Sequence, residues 1–301
     1  MMIDQDVTEM AWGLKKRLEF IEFKLFWEGK INRGDLKDFF HISTPQASAD
    51  LGRYIEIAPH NLDYNRSGKY YYPKQNFKPL FSEFSANEYL SQLLAISQRT
   101  INPKSAGISI VPPIAEVPTP SRIVEPSVLK SVIAAINEKQ KLNICYQSMS
   151  SPKPKTRWIS PHSLAFDEFR WHVRAFCHID NTYKDFVLGR IISILNNEPS
   201  TIDSITDSEW HKFIPIHIAP NPMLNDSKIK VIELDYGMAD GKLELKPRIA
   251  LARYLLKRLG LHKATDDVSP TEQQIILLNK EEVLNALNNK LTFNQLQPST
   301  N

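Results

Sequence analysis

Between Trp12 and Trp27, apolar residues at Leu14, Leu18, Ile21, Leu25 and Phe26 fall on one helical stripe, which predicts an amphipathic helix closed by Gly29. A shorter helix follows, with Asn32 able to cap a segment that carries Leu36, Phe39 and Phe40. His41-Ile42-Ser43 then makes a tight break, and Thr44-Pro45 offers an N-cap with proline at the first position of a third helix running to about Ile57. Two short helices joined by a three-residue turn form the helix-turn-helix arrangement, whose second helix enters the DNA major groove. From Asn61 to Pro73, two aromatic strands surround a glycine turn with Arg66 and Lys69 near its tip, the pattern of a wing.

On the third helix Ala47, Leu51, Tyr54 and Ile55 share one face, while Gln46, Ala49 and Arg53 point the other way and Ser48 sits on the flank. The outer face is small and polar. That suits base reading, because glutamine bonds adenine in two places, alanine or threonine touches a thymine methyl, and helix N-terminal amides hold a phosphate. Thr44, Gln46, Ser48, Ala49 and Arg53 are the expected DNA contacts of the helix, and Arg66 and Lys69 add affinity beside the backbone. The competing reading is a plain surface helix of a three-helix domain, and the wing behind it weighs against that.

Eight prolines between Pro73 and Pro126 exclude long regular helices from the second half of that stretch. It reads as a linker interrupted by one helical patch, residues 85–99, where Tyr89, Leu93 and Ile96 face a neighbour or a partner chain. A helical pattern over 125–141 opens a new domain behind Pro126. Residues 142–146, 157–166, 170–178 and 185–191 then read as successive strands. In the third of these, Trp171, Val173, Ala175 and Cys177 alternate with Arg170, His172, Arg174, Phe176 and His178, so two arginines and two histidines share a face. A charged row facing water is one reading. Cations converging on an anionic ligand, with Arg190 on the return strand, is the other.

Beyond residue 210, segments 229–236 and 242–246 read as strands, 247–259 as a helix stopped by Gly260, 274–278 as a strand and 281–287 as a helix. That ββαβα order predicts a small α/β domain. The tail from Leu291 reads as disordered.

Composition narrows the class. A chain of 301 residues with 42% hydrophobic and 24% charged residues is long enough for two or three globular domains. No apolar run approaches the ~18–20 residues of a membrane span, and the start carries charges where a signal peptide needs an apolar stretch, so a cytoplasmic protein is expected. Cys145 and Cys177 lack CxxC spacing and read as small core residues, and neither a metal nor a cofactor is expected. Net charge is only +3, but residues 121–190 hold 11 Lys/Arg against 6 Asp/Glu. Residues 191–301 hold 12 against 14, which suits a dimer contact better than nucleic acid. Residues 64–78 carry Arg66, Lys69, Lys74 and Lys78 with no acid, a cluster for phosphate or a solvated loop.

Catalysis finds little support, since GxSxG, HExxH, GxxxxGK[ST] and GxGxxG are all missing. Ser148, His162 and Asp167 form a hydrolytic set on paper, but three such residues within twenty positions are common by chance. The other class is a single-stranded nucleic-acid or RNA-binding protein built on an Sm-like barrel.

Ile144-Cys145-Tyr146-Gln147-Ser148, Ser160-Pro161-His162-Ser163-Leu164, the strand from Arg170 to His178, and Phe186-Val187-Leu188-Gly189-Arg190-Ile191 resemble, in order and spacing, the WYL-domain transcriptional regulators. With the winged helix in front, the chain is similar to the subgroup of repressors that control bacterial phage-defence operons. The resemblance implies an α+β multidomain protein: a winged helix-turn-helix over 1–80, a linker with a dimer-contact helix over 81–125, a WYL ligand-sensing domain with an Sm-like SH3 β-barrel over 126–210, and a small C-terminal α/β dimerisation domain over 211–301. It also implies a homodimer, while the winged helix predicts a double-stranded operator with an inverted repeat, and the two arginines with the Tyr146 ring suit an anionic nucleotide or nucleic-acid effector. Tyr146, Ser148, His162, Arg174 and Arg190 match the family's proposed ligand pocket, with Arg170 and His172 beside it. Trp171-His172-Val173 stands where Trp-Tyr-Leu is usual, so the effector is not inherited with the fold. Core packing for Tyr146 and a backbone-bonded turn for His162 are the plain alternatives.

Overall fold

The computed structural model describes residues 10–120, 122–262 and 268–288, so the expectation for the tail from Leu291 lies outside the described residues. The chain divides into two compact units, Met1–Thr119 and Pro120–Asn301.

In the first unit α1 (Trp12–Glu28) ends at Gly29, whose left-handed φ of 69° a side chain would resist. Asn32 opens α2 (Arg33–Phe40) through a capping box: its side chain accepts from Gly34 N at 2.6 Å and Asp35 N at 3.2 Å, while Asp35 accepts from Asn32 N at 2.7 Å. The third helix, α3 (Thr44–Ile57), begins one residue earlier than expected. Ser43, extended at φ −72°, is the cap and accepts from Gln46 N at 3.3 Å, which leaves Thr44 and Pro45 inside the first turn. Strands β1 (Leu62–Asn65) and β2 (Tyr70–Pro73) pair antiparallel, and Ile31 adds a bridge to Tyr71. The three helices and the hairpin enclose Leu18, Ile21, Leu25, Ile31, Leu36, Ala47, Leu51 and Tyr54.

The segment expected to be a linker is largely part of this unit. Helix α4 (Ala86–Ser97) packs on α1, with Tyr89 stacked on Trp27 at 4.1 Å between ring centroids, and Leu93 is buried. The chain then returns to α1: Ile108 is buried, buried Lys24 donates to Ser109 Oγ at 2.7 Å, and Ser109 N donates to Glu28 at 2.8 Å. The Tyr89 and Leu93 face of α4 thus finds its neighbour in its own chain, and Leu90 and Leu94 stay exposed.

The second unit holds two cores. Helix α5 (Pro126–Asn137) covers a sheet of β3 (Gln140–Tyr146), β4 (Lys155–Phe166), β5 (Trp171–Cys177), β6 (Thr182–Val187) and β7 (Ile191–Pro199) in the order β6-β5-β4-β3-β7. All neighbours are antiparallel. Strand β7 lies beyond the strands expected from the sequence, the last of which ends at Ile191. A tight turn at Leu188–Arg190 separates β6 from β7, and a Cβ on Gly189 would stand 2.5 Å from the Ile123 carbonyl oxygen. The sheet is open, with β6 and β7 each paired on one side, so the expected Sm-like barrel closure is not seen among the described residues. The register of β4 shifts between Pro161 and Ser163, which leaves His162 in a bulge.

The remaining elements are the short α6 (Ser208–His211), β8 (Ile216–Pro220), α7 (Asp226–Tyr236), β9 (Leu243–Leu245), α8 (Ile249–Arg258), β10 (Ile275–Leu277) and α9 (Lys280–Asn288). Strand β8 lies between β10 and β9 in an antiparallel sheet. Residues 229–236 are helix, not strand. Their alternating apolar pattern is deceptive: Asn225 caps Lys228 N at 3.0 Å, Gly237 closes the last turn left-handed, and Ile229 and Ile232 face the core while Val231 and Leu234 face out. The order after α6 is therefore βαβαβα.

Candidate functional site

The outer face of α3 stands on a partly buried ion pair. Asp50 is almost wholly buried, is clamped by Arg17 at 2.6 and 3.2 Å, and accepts from Gln46 Nε2 at 2.9 Å. Gln46 is exposed, with one end of its amide held and its carbonyl oxygen without a partner among the described residues. Thr44 and Ala49 are exposed as expected, half-buried Ser48 donates to the Thr44 carbonyl at 3.0 Å, and exposed Arg53 reaches Glu56 at 3.2 Å. Arg66 and Lys69 occupy the wing turn, where Asn65 accepts from Gly68 N at 2.8 Å. The left-handed residue of that turn is Lys69, at φ 55°, and not the glycine. Two exposed cations were missed: Arg33, 3.5 Å from Ser48 Oγ, and Lys30, 5.9 Å from the Tyr70 ring. Their position just before and at the start of α2 was the available signal.

In the second unit Arg174 and His172 are 2% and 3% exposed, so they do not form a row in water. Nor are they free cations. Arg174 binds Asp207 through two hydrogen bonds at 2.7 and 2.9 Å, Glu209 at 2.8 Å and Asp185 at 3.3 Å. His162 Nε2 lies 3.0 Å from the same Asp207 carboxylate, and its Nδ1 is 3.0 Å from Ser163 Oγ. Burial alone would raise the Asp207 carboxyl, but the hydrogen bonds and charges of Arg174 and His162 hold it well below the usual carboxylate range. Tyr254 on α8 donates to Asp185 at 3.0 Å, which ties the C-terminal sheet domain to the cluster. Burial and the neighbouring Asp185 push the Tyr254 hydroxyl pKa up.

The expected single pocket is corrected by the sheet geometry. Tyr146 shares the core face with Leu142, Ile144, Val173 and Ala175, is 7% exposed, meets Phe186 edge-on at 5.2 Å and accepts from Val187 N at 3.3 Å. Arg174 points to the opposite face, so these two do not meet. Ser148 bonds Ser150 at 2.8 Å, and half-buried Arg190 has no side-chain partner among the described residues. Arg170 and His172 gather instead on Asp167, at 3.4 and 3.0 Å. The paper hydrolytic set is dispersed as well, because Ser148, His162 and Asp167 each bond different groups. A cavity of about 340 Å³ opens beside His162, lined also by Lys139, Ser160, Tyr183 and Ser200.

Family models match most of the chain in three pieces. Residues 13–95 match the BrxR transcriptional regulator winged helix-turn-helix domain, 127–194 the WYL domain, and 213–283 the BrxR transcriptional regulator C-terminal dimerization domain. The DNA-binding transcriptional repressor CapW of Stenotrophomonas maltophilia is 36% identical over 278 residues, 92% of this chain and 93% of that protein. This chain belongs to the CapW repressor family. CapW of Escherichia coli strain KTE188 is 39% identical over 272 residues, 90% of this chain and 91% of the other. CapW of Pseudomonas aeruginosa is 35% identical over 274 residues, with the same coverage.

CapW relatives are regulators by name and not enzymes, in line with the expectation against catalysis. Among the described residues no helix is long and apolar enough to cross a membrane, and no three metal-ligating side chains are grouped. Cys177 is buried in the sheet core and Cys145 half-buried, both as free thiols.

Proposed function

We propose that this chain is a double-stranded DNA-binding transcriptional repressor that acts as a homodimer on an inverted-repeat operator of a bacterial phage-defence operon. The observation that carries the reading is the exposed face of α3, fixed by the Arg17–Asp50–Gln46 relay and followed by a cationic wing, in a chain 35–39% identical to CapW repressors. Thr44, Gln46, Ser48, Ala49 and Arg53 read the groove, and Arg66 and Lys69 hold the backbone. Dimerisation through the C-terminal domain supplies the second half-site, because one winged helix reads too few base pairs to single out a genomic position. Fluorescence anisotropy with the upstream DNA of the adjoining operon tests it: binding equal to that of a scrambled duplex at ~150 mM salt rejects the reading, since nonspecific contacts are largely screened there.

The WYL module serves as the sensor of an anionic nucleotide or nucleic-acid effector. Asp207 and Glu209 act as place-holders that an incoming anion displaces from Arg174, with His162 at the neighbouring cavity. Exchange of this kind releases a segment that Arg174 otherwise ties to the sheet. A ligand relieves repression only by its different affinity for the two states, and a hundredfold loss of operator binding corresponds to ~2.7 kcal/mol of coupling.

A further inference from the structure

Helix α8 and the turn between β4 and β5 border a cleft of about 490 Å³ within the second unit. Four of its lining side chains are cations, Arg122, Arg170, Lys257 and Arg258, and one, Asp167, is an acid. The Asp167 charge is already spent on the amides of Phe169 and Arg170, at 2.9 and 2.6 Å, and on His172 at 3.0 Å. Arg258 pairs with Glu168 across the same turn. Arg122 and Lys257 are exposed and have no ion-pair partner among the described residues. Arg170 holds Asp167 only loosely: its Nη2 donates at 3.4 Å, and its buried Nε faces the same carboxylate oxygen at 3.4 Å without hydrogen-bond geometry. A buried donor with only a long, misaligned acceptor has hydrogen-bonding capacity left for a better-placed one.

Beside this cationic mouth lies a smaller cavity of about 150 Å³ that shares Asp167, Tyr254 and Arg258 with it. Its other walls are Ala165, Phe166, Pro247, Leu251 and Leu255 with His172 and the Arg258-paired Glu168, so the charged mouth continues into a mainly apolar recess. Guanidinium and ammonium groups around a mouth select a phosphate, and an apolar recess selects a flat ring attached to it. We propose that this cleft is a second ligand site, separate from the Arg174 cluster, for a nucleotide 5′-phosphate. The phosphate sits among Arg122, Arg170 and Lys257, and the base enters the recess beside Tyr254. Tyr254 donates to Asp185, which pairs with Arg174, so occupancy of the cleft reaches the buried cluster through a single side chain.

The site is tested by calorimetric titration of the full chain with adenosine 5′-monophosphate, adenosine, inorganic phosphate and a 5′-phosphorylated tetranucleotide. Adenosine monophosphate should bind at least about tenfold more tightly than adenosine or phosphate alone, because only it fills both parts of the cleft. The Arg122→Gln/Lys257→Gln variant should lose about tenfold in that affinity with an unchanged melting temperature, and Lys257→Arg should keep it. Tighter binding of the tetranucleotide assigns the site to an oligonucleotide end, and weaker binding to a mononucleotide. Absence of nucleotide binding at millimolar concentration, equal affinity for adenosine and its phosphate, or a double variant that binds like the parent would each overturn the proposal. Operator binding measured without nucleotide on the same samples keeps this result separate from the repressor reading.

Discussion

Arg174 and Asp207 meet through two parallel hydrogen bonds, Nε to Oδ2 at 2.7 Å and Nη2 to Oδ1 at 2.9 Å, although 33 positions separate them in the chain. Both are almost fully buried, and Asp185 and Glu209 complete a ring of three carboxylates around one guanidinium. Such an arrangement costs desolvation on both sides, and breaking it is worse than never forming it. Arg174→Ala should therefore destabilise the second unit by roughly 3–5 kcal/mol, since it strands buried carboxylates. Urea denaturation reads the loss directly. A midpoint within error of the parent would mean that the carboxylates find other partners at no cost.

The same pair sets an acid limit. The Asp207 carboxyl is held below its unfolded range, so it contributes stability above about pH 4 that is lost as the pH falls through its folded value. Chemical denaturation between pH 6 and 2 should show the unfolding midpoint falling steeply below about pH 4. Asp207→Asn should start lower and fall less. Parallel pH curves for parent and variant would remove Asp207 from the acid response.

Local chemistry is what the sequence displayed most openly. Gly29, Asn32 and Gly260 end or begin helices through atoms within a few residues of themselves, and the expected boundaries there are close to those observed. The face of β5 shows where that kind of reading ends. Alternation correctly separated Val173 and Ala175 from His172 and Arg174, yet could not reveal that Asp207 and Glu209, far along the chain, would bury and neutralise the second face. Tyr146 and Arg174 were grouped by resemblance, and only the strand register shows that they lie on opposite sides of the sheet. The segment 229–236 failed for a different reason. Its charged and apolar residues alternate as in a strand, while the cap at Asn225 and the stop at Gly237 belong to a helix, and the burial of Ile229 and Ile232 follows the helix.

Glu22 is the corresponding buried acid of the first unit. It accepts from the Tyr54 hydroxyl at 3.0 Å and from the amides of Leu80 and Phe81 at 2.6 and 2.9 Å, so it pins α3 and the chain after the wing to α1. Burial raises its carboxyl above the ordinary value against those hydrogen bonds. A raised acid costs stability as the pH rises through its folded value, opposite in sign to Asp207. Glu22→Ala leaves three donors without a partner and should destabilise the first unit by about 3 kcal/mol or more. Operator affinity should fall with it at 37 °C and recover on cooling. A variant with parental melting behaviour would show that water takes over all three bonds.

The helix and the wing should separate in their effects on DNA. Gln46 stands on the exposed face of α3 with its amide braced by Asp50, so changing it alters which base is favoured and leaves nonspecific binding nearly as it was. Arg66 and Lys69 lie in the wing turn, where a cation meets phosphate and carries no sequence information. Gln46→Ala should cost about 1–3 kcal/mol on the preferred operator and much less on a single-base variant of it. Arg66→Ala or Lys69→Ala should weaken every duplex alike and lower the slope of log K against log salt by about 1 for each phosphate no longer neutralised. The proposed dimer adds a geometric constraint, because two copies of α3 related by a two-fold axis would require half-sites separated by whole turns of roughly 10 base pairs. Inserting about 5 base pairs between the half-sites rotates one by half a turn and should abolish tight binding, while about 10 should restore it in part. Binding that ignores the 5-base-pair insertion would leave each winged helix acting alone, and the two-fold operator would have to be abandoned.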